Sequence, residues 1–91
     1  MTKVLTATVQ KSVLTDVFQI VLFNDDYNSF DWVIKSLVEV CDHEHAQAEQ
    51  CAWIVHYNGK YTIKSGPKED MINRCIALLD RGLTAEVQEA Q

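Results

Sequence analysis

Between Val17 and Phe23 every residue except Gln19 is apolar or β-branched, and the run stops at Asn24-Asp25-Asp26. Asn and Asp side chains bond their own backbone and favour turns, so this spacing predicts a buried strand that ends in a polar turn. A chain of 91 residues buries only ~60 to 65% of the surface its unfolded form exposes. Every other apolar periodicity must therefore serve the same small core. A two-domain enzyme is not expected from these residues, and little room remains for an interior catalytic cavity.

After the turn, Ser29 can cap a helix in which Phe30, Val33, Ile34, Leu37 and Cys41 fall on one apolar stripe, predicting a helix over Phe30 to Cys41. Asp42 can cap a second helix directly, with Glu44 in its first turn and Ala48, Cys51, Ala52 and Val55 as its inner stripe. Asn58-Gly59 suits a left-handed C-terminal cap. Lys60 to Lys64 alternates as a half-exposed strand. Pro67, at the first helical position after Gly66, opens a third helix with Met71, Ile72, Cys75, Ile76 and Leu79 as its stripe. Gly82 stops it, and Leu83 to Val87 can form a last strand. The expected order is β-α-α-β-α-β, an α+β fold with a three-stranded antiparallel sheet and three helices packed on it. Met1 to Asp16 shows no sustained period and is expected to be a flexible arm, leaving 17–91 as the folded domain.

Thirteen acidic against eight basic residues give a net charge of -5, which would repel a phosphate backbone and argues against a nucleic-acid partner. The longest stretch free of Asp, Glu, Lys and Arg runs only from Gln50 to Gly59, far short of the ~20 residues of a membrane span, so no membrane partner is expected. Gln10 and Lys11 cut the opening apolar mix short, so a secretory signal sequence is not expected. Three cysteines, Cys41, Cys51 and Cys75, lie on apolar stripes and suit free thiols in a reducing cytoplasm. Asp31, Glu39, Glu44 and Glu49 read as solubility charges, and no additional apolar face demands a dimer, so a monomer is expected.

Three features could carry chemistry: the Asn24-Asp25-Asp26 turn, His56 near the end of the second helix, and Asp42-His43-Glu44-His45. Residues two apart on a helix face away from each other, so His43 and His45 cannot easily share an ion. That cluster reads as a solvated helix start, and neither a metal nor another cofactor is expected. The turn and His56 each have a plain structural reading, as a turn and as a satisfied histidine. A hydrolase pairing His56 with Asp25 or Asp26 is an alternative. It lacks a nucleophile, because Ser29 and the cysteines fall on caps or apolar stripes.

The runs Phe18-Gln19-Ile20-Val21-Leu22-Phe23-Asn24-Asp25-Asp26-Tyr27, Phe30-Asp31-Trp32-Val33-Ile34, Gln47-Ala48-Glu49-Gln50 and Val55-His56-Tyr57-Asn58-Gly59-Lys60 resemble the Clp protease adaptor family, ClpS. The similarity extends from about Val17 to Val87, and the two motifs recur in the family's order and separation. The resemblance implies a module without catalytic activity that holds the first residue of a protein substrate (Leu, Phe, Trp or Tyr) and hands it to a Clp-type AAA+ ATPase. It assigns the substrate's α-amino group to Asn24, Asp26 and His56, and the substrate backbone to Asp25. It lines the side-chain pocket with Leu22, Asn28, Phe30, Val33, Ala52, Val55 and Leu83.

Chemistry agrees with this assignment. An N-terminal ammonium has three donors and a full charge, and a site that buries it needs about three acceptors, one of them ionised. Asn24 and Asp26 can serve, with His56 accepting as the neutral imidazole, so affinity is expected to fall as the histidine protonates. Phe30 and Ala52 stand where better-known members carry Met, which predicts an altered preference among the four side chains. A general peptide-binding module that ignores chain ends is the other alternative.

Overall fold

A computed structural model describes residues 17–90. The expected arm, Met1 to Asp16, lies outside the described residues. Six elements follow one another: β1 Val17–Phe23, α1 Phe30–Cys41, α2 His45–Asn58, β2 Lys60–Pro67, α3 Lys68–Asp80 and β3 Thr84–Glu89. The order is the expected β-α-α-β-α-β, and the three strands form one antiparallel sheet in the order β2-β1-β3. The most apolar strand is thus central, where both of its edges are paired. The outer strands carry Lys60, Lys64 and Pro67 or Glu86, residues that discourage further pairing at an edge.

Ile20 and Leu22 of β1 are almost wholly buried and join side chains from all three helices in one core. The α2 stripe is buried as its period requires: Ala48, Cys51, Ala52 and Val55. In α1 the stripe is closed at Ile34, Leu37 and Cys41 but only half-buried at Phe30 and Val33. The core therefore opens at the start of this helix.

Five local expectations are corrected. Asp42 does not cap α2; it ends α1 in the left-handed conformation (φ 59°, ψ 29°), with its N–H donating to the Leu37 carbonyl, and Glu44 takes the N-cap position of α2. Asp is among the few non-glycine residues that tolerate this conformation. Here its carboxylate also receives Arg74 Nη1 at 2.9 Å, while the same nitrogen donates to the Val40 carbonyl at 2.8 Å. His43 is consequently not solvated: it is buried, 2.8 Å from the Ile63 carbonyl through Nε2.

Pro67 is the last residue of β2 and the N-cap of α3, because β1 pairs all the way from Phe23↔Lys60 to Val17↔Pro67, across an irregularity at Ile20/Val21. A proline at a strand's edge loses no ladder bond that a solvent-facing N–H would have made. The inner face of α3 is Met71, Cys75 and Leu78, whereas Ile72, Ile76 and Leu79 are exposed. Finally, β3 starts at Thr84, and Leu83 is buried in the turn before it.

The α1 and α3 ends are fastened at a second point. Trp32 Nε1 donates to the Arg81 carbonyl at 2.9 Å, the Arg81 guanidinium lies 5.5 Å from the Trp32 ring centre, and Arg81 Nη1 is 2.8 Å from Glu39 Oε1, at an angle that forms no hydrogen bond. All three cysteines are free and buried, and burial pushes the Cys41 thiol up to about 11. Among the described residues, no helix is long and apolar enough to cross a membrane.

Candidate functional site

Two ties gather the polar turn against distant parts of the chain. On one side, the Asn24 N–H donates to the Gly59 carbonyl at 2.8 Å, and the Gly59 N–H donates to the Val55 carbonyl at 2.9 Å. Gly59 ends α2 at φ +90°, a conformation that costs an L side chain ~1 to 2 kcal/mol, so glycine suits the position. The end of β1 is thereby held beside the last turn of α2, which carries His56.

On the other side, the Asn28 side-chain amide donates to Asp25 Oδ2 at 2.8 Å and to the Gly82 carbonyl at 2.9 Å. This second tie joins the turn to the bend between α3 and β3, where Leu83 donates its N–H to the Leu78 carbonyl. Leu83 is thus set as a wall facing the turn.

The two adjacent aspartates play different parts. Asp25 Oδ1 accepts from the Tyr27 and Asn28 N–H groups at 2.9 and 2.8 Å, and its other oxygen accepts from the Asn28 amide. Burial pushes its carboxyl up, but these bonds outweigh that effect and hold it below the ordinary 3.8. Asp25 is the ionised keystone of the turn. The Asp26 carboxylate is exposed and enters none of the hydrogen bonds or ion pairs among the described residues.

These elements enclose a cavity of about 230 Å³. That is smaller than the ~300 to 1,000 Å³ of pockets that take drug-sized ligands, and it suits one large side chain. Its mouth is polar: Asn24, Asp25, Asp26, Asn28 and His56. Its floor and walls are apolar: buried Leu22, Ala52, Val55 and Leu83, with half-buried Phe30 and Val33. Every residue that the family resemblance assigns to the site lines this one cavity, and no Lys or Arg does.

The additional lining residue is Phe23, which sequence reasoning missed. Its place immediately before Asn24 was the available signal. Asn28 was expected as a wall and is also a brace, a role that only the Gly82 contact discloses.

Chemically, the mouth offers acceptors and negative charge above an apolar floor. It does not present an assembled acid–base pair, since no hydrogen bond or ion pair among the described residues joins His56 to Asp25 or Asp26. His43, buried on the Ile63 carbonyl, and exposed His45 lie outside the cavity lining. Among the described residues, no group of three His, Cys, Asp or Glu is placed to hold a metal.

Residues 14–86 match the family described as ATP-dependent Clp protease adaptor protein ClpS. No curated protein matches the sequence. Among solved structures, the fold is shared with Agrobacterium tumefaciens ClpS2 bound to L-phenylalaninamide, with a TM-score of 0.79 and 16% sequence identity over 84% of this chain and 99% of that one. At that identity the likeness is one of fold.

Proposed function

The chain belongs to the ClpS family of ATP-dependent Clp protease adaptors, and on that premise we propose that it binds proteins with a free, bulky apolar N-terminal residue, Leu, Phe, Trp or Tyr, and delivers them to a Clp-type AAA+ ATPase. The observation that carries the reading is one cavity whose anionic, acceptor-rich mouth opens over an apolar floor. Asn24, Asp26 and His56 receive the α-ammonium, each as an acceptor, with Asp26 supplying the charge. Asp25 shapes the turn against which the substrate backbone lies. Leu22, Asn28, Phe30, Val33, Ala52, Val55 and Leu83 enclose the side chain. The relative ClpS2 supports this, because L-phenylalaninamide presents a free amine, a phenyl side chain and an amide, as the first residue of a chain does.

Selectivity for a chain end follows from desolvation. An acetylated terminus or an internal Leu lacks the charge and two of the donors, and each acceptor left buried without a partner costs ~1 to 3 kcal/mol. The apolar floor then reads the side chain, since burying Leu or Phe contributes about 1.5 to 3 kcal/mol and Ala or a charged residue contributes little or is penalised. The role is that of a monomeric cytoplasmic adaptor, with no chemical step of its own.

Titration with a short Phe-initiated or Leu-initiated peptide and its N-acetylated twin tests the reading. Micromolar or tighter binding of the free peptide, lost in the twin, is expected. Equal binding of both would indicate a general peptide module, and turnover would indicate an enzyme. His56→Phe, which removes the ring-nitrogen acceptor, should also weaken binding of the free peptide. Unchanged affinity would remove His56 from the ammonium site.

A further inference from the structure

Phe30 is the first residue of α1 and lines the cavity. A side chain deeper in a helix has its χ1 restricted by the preceding turn, but the first residue has no such turn. Its own helix therefore does not decide where the ring points. Ala52, another wall, is too small to back it. The ring meets Trp53 most closely, at 4.5 Å between centroids and an interplanar angle of 56°, within the range of favourable aromatic pairs, and stands edge-on to the His56 ring at 6.5 Å and 86°.

Trp53 is not part of the core and does not line the cavity; 44% of it is exposed. It is nonetheless held in place. One turn further along α2, Tyr57 stacks on it at 5.4 Å and 13°, and the His56 ring stands edge-on to it at 6.1 Å. Phe30, Trp53 and Tyr57 thus form a ladder of three rings running from the cavity wall outward along α2.

We propose that Trp53 is a specificity-determining positioning residue: it holds Phe30 as a fixed wall and so sets the width of the side-chain pocket. The proposal rests on the reading of the cavity as a site for an N-terminal residue. A braced ring cannot yield to a larger side chain, so the pocket sorts its ligands by size. Removal of the brace gives Phe30 room to swing toward α2 and widens the pocket.

The test is the affinity of Trp-initiated and Leu-initiated peptides for the wild type, Trp53→Ala and Trp53→Phe, with N-acetylated peptides as controls. In Trp53→Ala the Trp-to-Leu affinity ratio should rise roughly two- to twelvefold, the range that one aromatic pair contributes. In Trp53→Phe, which keeps a ring against Phe30, it should stay at the wild-type value. All three proteins should remain folded at the temperature of the titrations, with the thermal midpoint of Trp53→Phe near the wild-type value and that of Trp53→Ala lower by several degrees as its ring contacts with Phe30 and Tyr57 are lost. An unchanged ratio in Trp53→Ala, or an equal loss for both peptides, would overturn the proposal. Wild-type binding that ignores acetylation would instead discard the chain-end reading while leaving the ratio readable, and absence of all peptide binding would remove both.

Discussion

Asn28 does its work through a single amide group. Its two hydrogens bridge the Asp25 carboxylate and the Gly82 carbonyl, the second of these 54 positions from Asn28 in sequence. Asn28→Ala leaves both acceptors without that partner, the Asp25 carboxylate at a partly buried site and the Gly82 carbonyl at an exposed one. A loss of about 1 to 2 kcal/mol in urea denaturation is expected, with a severalfold weaker affinity for a Phe-initiated peptide as Leu83 and the turn drift apart. Unchanged stability and affinity would show that the bridge is incidental. The same scale separates the two aspartates. Nothing in the dipeptide says which carboxylate is consumed by the turn and which is left exposed; the distinction arises because Asp25 stands two and three residues before the N–H groups it accepts from.

At the scale of elements, α3 is instructive because its sequence offers two apolar rows, Met71-Cys75-Leu78 and Ile72-Ile76-Leu79, one step apart around the helix. The sequence reading mixed the two rows, taking Leu79 over Leu78. The structure buries Leu78 completely and leaves Leu79 about half exposed. Leu78→Ala should therefore cost ~2 to 5 kcal/mol and Leu79→Ala within about 0.5 kcal/mol, measured by the urea midpoint. Similar losses at both positions would mean that α3 is rotated from the face described. The α1–α2 joint was misread for a related reason. Asp42 is a good N-cap by type, but it is also one of the few residues that can end a helix in the left-handed conformation, and Arg74 from α3 stabilises the second use.

For the molecule as a whole, His43 links folding to pH. Burial pushes its pKa below the ordinary 6.5, against the bond to the Ile63 carbonyl, which raises it; nearby Lys64 lowers it and Asp42 raises it. The carbonyl can only accept, so Nε2 carries the hydrogen, and the buried, unpartnered Nδ1 is the atom that would take up a proton. The unfolded chain therefore protonates first as pH falls. Stability from this group is whole above about pH 6.5 and is lost below it, toward the lowered folded value. Urea midpoints should fall between about pH 7 and pH 5 in the wild type and fall less in His43→Gln. Equal slopes in the two proteins would rule out His43 as the linked group.

The order of the elements, the ends of β1 and α1, the inner stripe of α2 and every residue of the cavity lining but Phe23 were legible in the chain. Those signals are local or periodic: a run that ends in a turn, a cap, a repeat of three and four, and two motifs resembling a known family. Long-range packing settles which row of α3 faces inward, that β2 continues to Pro67, that His43 is buried, that Asn28 is a brace, and that Trp53 leans on Phe30. Periodicity specifies which residues can share a face. Which face is used, and which polar group finds a partner, depends on atoms brought together from positions 20 to 54 residues apart, and these have no local trace.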